Sequence, residues 1–265
     1  MGRPAGTQAL SRIVWPHWVS ALSLSALASA FGRLAGALSD SGALAAAVVG
    51  TVVAGAGGWD WAVVLVVFVA TASAASALPP HAQRPRRTAR QVFANGAVAC
   101  AAALLHQAGV ANSGAAFAGA VSSAWADTWA AELGVRYGGS PWSLRDGRRL
   151  EPGTSGGITV VGTAAGILAA VACGLLAAVV GVAPLGATAV AGCAGMAADS
   201  LLGAGWQARF SCSCCGRTGE EPRCPCGAVG RCSTGIRWLD NDVTNLLATC
   251  VGAGVSVLWA QVAIP

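Results

Sequence analysis

Asp127 stands in the stretch AAFAGAVSSAWADTWAAEL (115–133), surrounded by alanine, glycine and tryptophan. Insertion scales put the cost of an Asp at the centre of a membrane helix at about 2.5–3.5 kcal/mol. A carboxylate kept at that cost points to work for a hard anionic oxygen. Glu132 follows five residues later, about 140° around an ideal helix, so the two do not share a face. They meet one ligand only if the helix loosens or Glu132 acts from its end. Asp199 in GMAADSLLGAG, and Asp240, Asn241, Asp242 and Asn245 in WLDNDVTNLL, add oxygen ligands at the ends of other apolar segments. Hard oxygens gathered at one level suit Mg²⁺, which keeps waters and takes substrate phosphates into its shell. The competing reading is that these carboxylates sit among lipid headgroups or pair with Arg.

A second constellation is Gly153-Thr154-Ser155-Gly156-Gly157, between Arg145, Arg148 and Arg149 and the next apolar segment. Glycine lets a loop turn its N–H groups toward an oxyanion, and the following helix offers its positive end. Thr154 and Ser155 add hydroxyls, and the three Arg could neutralise a phosphoryl group in transit. No GxxxxGK[ST] occurs, so this is not a Walker loop. The rival reading is structural: Ser155 caps a helix whose Gly162 and Gly166 form a close-packing GxxxG face. Asn95 in QVFANG, near several Arg, suits either a nucleotide oxygen or helix packing. His17, His81 and His106 are scattered, with no triad order or HExxH pattern.

Six of the 10 cysteines crowd into CxCC–x8–CxC–x5–C. Cys212, Cys215, Cys224 and Cys226 suffice for one tetrahedral structural Zn²⁺, with loose thiols or disulfides as the alternatives. A reducing cytoplasmic face disfavours the disulfides. Cys100, Cys173, Cys193 and Cys250 read as small apolar residues within spans.

The elements that must position these groups are membrane helices. Of 265 residues, 55% are hydrophobic and 10% charged, with mean hydropathy +0.61; soluble domains carry about 25% charged residues. Spans are predicted at 18–36, 42–57, 60–78, 93–109, 114–133, 158–181, 184–204 and 243–263. The expected fold is an all-α, polytopic bundle of about eight spans, or six to seven if 42–57 is re-entrant. It forms one integral membrane domain over 1–265, with 205–242 a Cys-rich loop insert. The acid-free first 39 residues read as a short polar start followed by a retained helix. All 16 basic residues are Arg, and all but Arg3 and Arg12 fall at the first inside turn or in the loops 79–91, 136–157 and 205–242. Two spans separate each loop from the next, so the positive-inside rule makes their shared face cytoplasmic. The net charge of +5 therefore reports orientation and an anionic ligand, not nucleic acid.

SGALAAAVVGTVVAGAGGW (41–59), QVFANG (91–96), ADTWAAELG (126–134), PGTSGG (152–157), DSLLGA (199–204) and WLDNDVTNLL (238–247) together resemble the transmembrane protein 19 family, which includes the plant phytyl-phosphate kinase. The resemblance runs in order from about Ser41 onward. It implies a multi-pass enzyme that phosphorylates a prenyl monophosphate, with CTP as donor. Carried over by position, it points to Asp127, Glu132, Gly153, Thr154, Gly156, Gly157, Asp199, Asn241, Asp242 and Asn245. The expected machinery is Mg²⁺ on Asp127 and Asp199, with Arg145, Arg148 and Arg149 neutralising charge. Asn95, Glu132, residues 153–157, Asn241, Asp242 and Asn245 would bind substrate and nucleotide, with the prenyl tail among membrane lipids. The alternative is a carrier or flippase for a lipid phosphate or anion, using the same groups without bond breaking.

Overall fold

The computed structural model describes residues 15–78 and 86–262. These form eight helices: α1 (Trp15–Leu34), α2 (Asp40–Val52), α3 (Trp59–Ala77), α4 (Ala89–Gln107), α5 (Ser113–Tyr137), α6 (Val160–Val179), α7 (Leu185–Gly205) and α8 (Asn241–Val262). A π-helical turn, Val53–Gly57, continues α2, and Asp40–Gly57 is long and apolar enough to cross a membrane as one unit. Trp59–Ala77, α6, α7 and α8 also meet that standard. Arg3, Arg12, His81, Arg84 and residues 79–85 lie outside the described residues.

The side-chain distribution is that of a protein in lipid. On α6, Leu168 is 61% exposed and Val179 83%, whereas Ala169, Ala170, Cys173 and Ala177 are fully buried. Lipid tails are as apolar as leucine, so burying leucine inside the bundle brings no hydrophobic gain. Small residues inside let helices approach and gain dispersion contact. The expected GxxxG face does this: a Cβ on Gly162 would lie 2.7 Å from the carbonyl oxygen of Ala130, and one on Gly166 3.0 Å from that of Ala126. Helix α5 is the hub, touching α3, α4, α6, α7 and α8 and buried throughout 117–126.

The bundle has two unlike ends. At one, short turns join α4 to α5 and α6 to α7, and aromatic packing seals the gap. Trp61 stacks on Phe117 at 4.4 Å between centroids and lies 4.9 Å from His106. His17 bonds the Ala54 carbonyl at 2.9 Å, so both histidines are packing groups. At the other end the long connections meet. Ser39 donates its N–H to the Arg87 carbonyl at 3.0 Å, Arg136 donates to the Ala75 carbonyl at 3.1 Å, and Arg90 pairs with Asp240 at 2.5 Å. Two small sheets form there, β1 (Trp142–Ser143) with β2 (Gly157–Ile158), and β3 (Arg209–Ser211) between β4 (Thr218–Gly219) and β5 (Arg231–Thr234).

Candidate functional site

Helix α6 begins one residue beyond Thr159, whose hydroxyl accepts from the Gly162 N–H at 3.0 Å. Thr159, not Ser155, is therefore its cap, and the loop before it is free to do something else. Gly153 and Gly156 adopt positive φ, +86° and +76°, where side-chain-bearing residues are strained. A Cβ on Gly156 would also collide with the backbone of Ala204. The loop thus seats on the end of α7, at the glycine and alanine of DSLLGA.

That loop does not present a row of open N–H groups. Thr154 N–H donates to the Glu151 carbonyl at 3.2 Å and Gly157 N–H to the Thr154 carbonyl at 3.1 Å. Ser155 donates its N–H and its hydroxyl to the two oxygens of Glu220, each at 2.8 Å. Gln207 donates to both Ser155 Oγ and Glu220 at 3.1 Å, and the Arg209 guanidinium donates to the Ser155 carbonyl at 3.1 Å.

Beneath the loop lies a cavity of about 460 Å³ at the polar end of α5, α6, α7 and α8. Asp127, Asp199 and Glu220 line it, with Gly153, Thr154, Ser155, Gly156, Gly157, Asn241 and Asn245. Asp199 is close enough to Asp127 and Glu220 to feel both charges, and its Oδ2 is buried with no hydrogen-bond partner among the described residues. No arginine lines the cavity among the described residues. Three carboxylates, with amide and hydroxyl oxygens and no fixed cation, make a donor set for a hard divalent metal such as Mg²⁺. An orphaned buried carboxylate oxygen fits that occupant. The amino ends of α6 and α8 reach the same space and favour negative charge brought in with the metal.

Other candidates lie elsewhere. Glu132 is buried on the opposite side of α5, accepting from Ser76 Oγ at 2.8 Å, as the 140° offset requires. Asp242 pairs with Arg90 at 3.4 Å and is not in the cavity wall. Asp240 caps α8, accepting from the Asp242 and Val243 N–H groups at 3.1 Å. Asn95 donates to the Gln91 carbonyl of its own helix at 3.1 Å. Arg145, Arg148 and Arg149 are exposed and line no part of the cavity. Arg148 pairs with Asp146 at 3.6 Å, and Arg149 lies over the Trp142 ring at 3.8 Å. Sequence reasoning missed Glu220, Gln207 and Thr159. Glu220 is one of two adjacent acids in an Arg-rich insert, a signal too weak to choose it.

The insert also brings together the four cysteines singled out above. The sulfurs of Cys212, Cys215, Cys224 and Cys226 all lie within 4.8 Å of one another, with Cys212–Cys226 at 3.5 Å and Cys215–Cys224 at 3.3 Å. Cys232 donates instead to the Thr234 carbonyl at 3.5 Å.

Comparison with known proteins agrees with the membrane architecture. A family model described as integral membrane protein DUF92 matches residues 23–253. An uncharacterized membrane protein of Methanocaldococcus jannaschii is 29% identical over 178 residues, 65% of this chain and 62% of that protein. The chain thus spans less than two thirds of that relative's length. No solved structure matches.

Proposed function

The chain belongs to the DUF92 family of integral membrane proteins, and from that premise we propose that it is a Mg²⁺-dependent phosphotransferase that converts a prenyl monophosphate to the diphosphate, with CTP as donor. The observation that carries this reading is the cavity wall: Asp127, Asp199 and Glu220 with no arginine among the described residues. A phosphate cannot enter three carboxylates unaccompanied, but a metal–nucleotide complex can. Asp127 and Asp199 would hold Mg²⁺, with Asn241 and Asn245 beside them. The metal, when bound, neutralises phosphate charge and orients the groups that exchange a phosphoryl.

The chain's own task is positioning. The phosphate oxygen of a prenyl monophosphate is already anionic, so it attacks the terminal phosphorus of the donor without a strong general base. The bond between that phosphorus and its bridging oxygen breaks, and the nucleoside diphosphate leaves. This accords with His17 and His106, which pack at the far end of the bundle. Ala130, Ala131, Val135, Ile158 and Met196 are among the apolar residues of the wall, suited to the first carbons of a prenyl chain. The Arg-rich loops would face the cytoplasm, where the nucleotide is.

Purified protein in detergent, given labelled CTP, ATP, GTP or UTP with phytyl, geranylgeranyl and longer prenyl phosphates, tests the reading. A Mg²⁺-dependent labelled prenyl diphosphate is expected. One observation favours carriage of a lipid phosphate or anion as the second reading. Asp127 lies ten residues from the end of α5 at Tyr137, about 15 Å along the helix, and ionisable groups within membrane bundles mark transport pathways as well as active sites. No product with any pair, together with movement of prenyl phosphate across vesicles, would decide for the carrier.

A further inference from the structure

We propose that Cys212, Cys215, Cys224 and Cys226 hold one Zn²⁺ as thiolates, and that this ion sets the position of Glu220 on the Ser155 loop. The metal half stands on geometry alone. With Zn–S bonds of about 2.3 Å, a tetrahedral site separates its sulfurs by about 3.8 Å. Four sulfurs already within 4.8 Å of one another need only small side-chain adjustments to reach it. The backbone is shaped for the same end. Each cysteine pair is followed at once by a glycine of positive φ, Gly216 at +71° after Cys215 and Gly227 at +87° after Cys226. The Gly216 N–H closes one turn on the Cys212 carbonyl at 2.9 Å, and the Gly227 N–H closes the other on the Cys224 carbonyl at 2.9 Å. These are two glycine-closed turns, one CxxC and one CxC, that present paired sulfurs to a common point.

The positioning half follows from where Glu220 stands. It lies five residues after Cys215 and four before Cys224, so a metal joining the two turns ties down both ends of the short arm that carries it. Backbone pairing of β4 with β3 and the bond from the Gly230 N–H to the Pro222 carbonyl at 2.8 Å also hold the arm, but β4 is two residues long and exposed, and Glu221, Pro222 and Arg223 are exposed as well. Yet Glu220 makes three hydrogen bonds at its tip, two from Ser155 and one from Gln207. Holding an exposed arm in one place costs conformational entropy, and a metal that closes the loop lowers that cost before Glu220 reaches Ser155. Glu220 is thereby a positioning residue for the glycine loop. Only the consequence for phosphate transfer rests on the function proposed above; zinc content and loop order do not.

The test uses the full-length protein in detergent with Mg²⁺ in excess and no nucleotide. Metal analysis should return one zinc per chain. Cobalt in its place should give the thiolate-to-metal absorption of a tetrahedral sulfur site. A zinc-selective chelator should speed amide exchange at Ser155 by roughly tenfold or more, the loss of a hydrogen bond to a charged acceptor. Restoring zinc should reverse it. Glu220→Ala should speed the same amide while keeping its zinc, and so separates the arm's tip from its anchor even if Cys224→Ser fails to fold. Metal-free protein with four free thiols overturns the proposal, as do two disulfides linking Cys212 to Cys226 and Cys215 to Cys224. Zinc present, with Ser155 exchange indifferent to its removal, overturns the positioning role.

Discussion

Asp199 Oδ2 is buried without a partner among the described residues, and such an atom costs stability until a cation reaches it. That gives the metal assignment a readout independent of catalysis. A ligand that binds only the folded state raises its stability, so added Mg²⁺ should raise the thermal midpoint of the wild type in detergent. Asp199→Asn should unfold no earlier than wild type without Mg²⁺ and gain little when it is added. The same substitution at Asp199 or Asp127 should lower transfer by about 10²-fold or more, since an amide cannot offset a metal's charge. Wild-type turnover by either variant would remove that residue from the metal site.

At the scale of elements, the fit of α6 against α5 places Thr159 and the glycine loop over Asp127. In an open helix Gly→Ala gains about 1 kcal/mol. Gly162→Ala should do the reverse, because its Cβ would lie 2.7 Å from a backbone oxygen of α5, and overpacking costs about 1–3 kcal/mol. Gly254→Ala on α8, where no atom lies within 4 Å, supplies the opposite sign as control. Thermal midpoints of the pair in one detergent check both; a gain at Gly162 would mean that the helices are not in contact there. Gly156→Ala faces both strain and collision with Ala204. It should lift the loop from α7 and lower activity more than global stability, seen as lost turnover with a nearly unchanged midpoint.

Across the whole molecule, the long connections among the described residues gather at one end of the bundle, and the cavity opens there. Residues 79–91, 136–157 and 205–242 should therefore share one side of the membrane, the cytoplasmic side by their Arg content. Single cysteines introduced into each loop of a cysteine-free chain, labelled from either side of sealed vesicles, check this. One loop labelled from the side opposite the other two would break the site, because Glu220, Ser155 and Asn241 must meet. The ties between loops are direct: Arg90, ahead of the cavity in sequence, reaches Asp240 and Asp242 at the start of α8.

What could be read along the chain was what depends on near neighbours. Hydropathy and small-residue content are local, so the predicted spans 158–181 and 184–204 fall on α6 (Val160–Val179) and α7 (Leu185–Gly205). The four convergent cysteines were also legible, because CxxC and CxC spacing within one short loop limits how far their sulfurs can separate. Asp127 and Asp199 stood out because lipid makes a carboxylate expensive wherever it occurs. The tertiary structure alone decided which other groups share their cavity. Glu220 reaches Ser155 across 65 residues, whereas Asp242 is drawn to Arg90 and Glu132 to Ser76. The arginines 145, 148 and 149 point to solvent and to Trp142. Long-range pairing of polar groups follows from how helices and loops pack in three dimensions, and no periodicity in the chain encodes it.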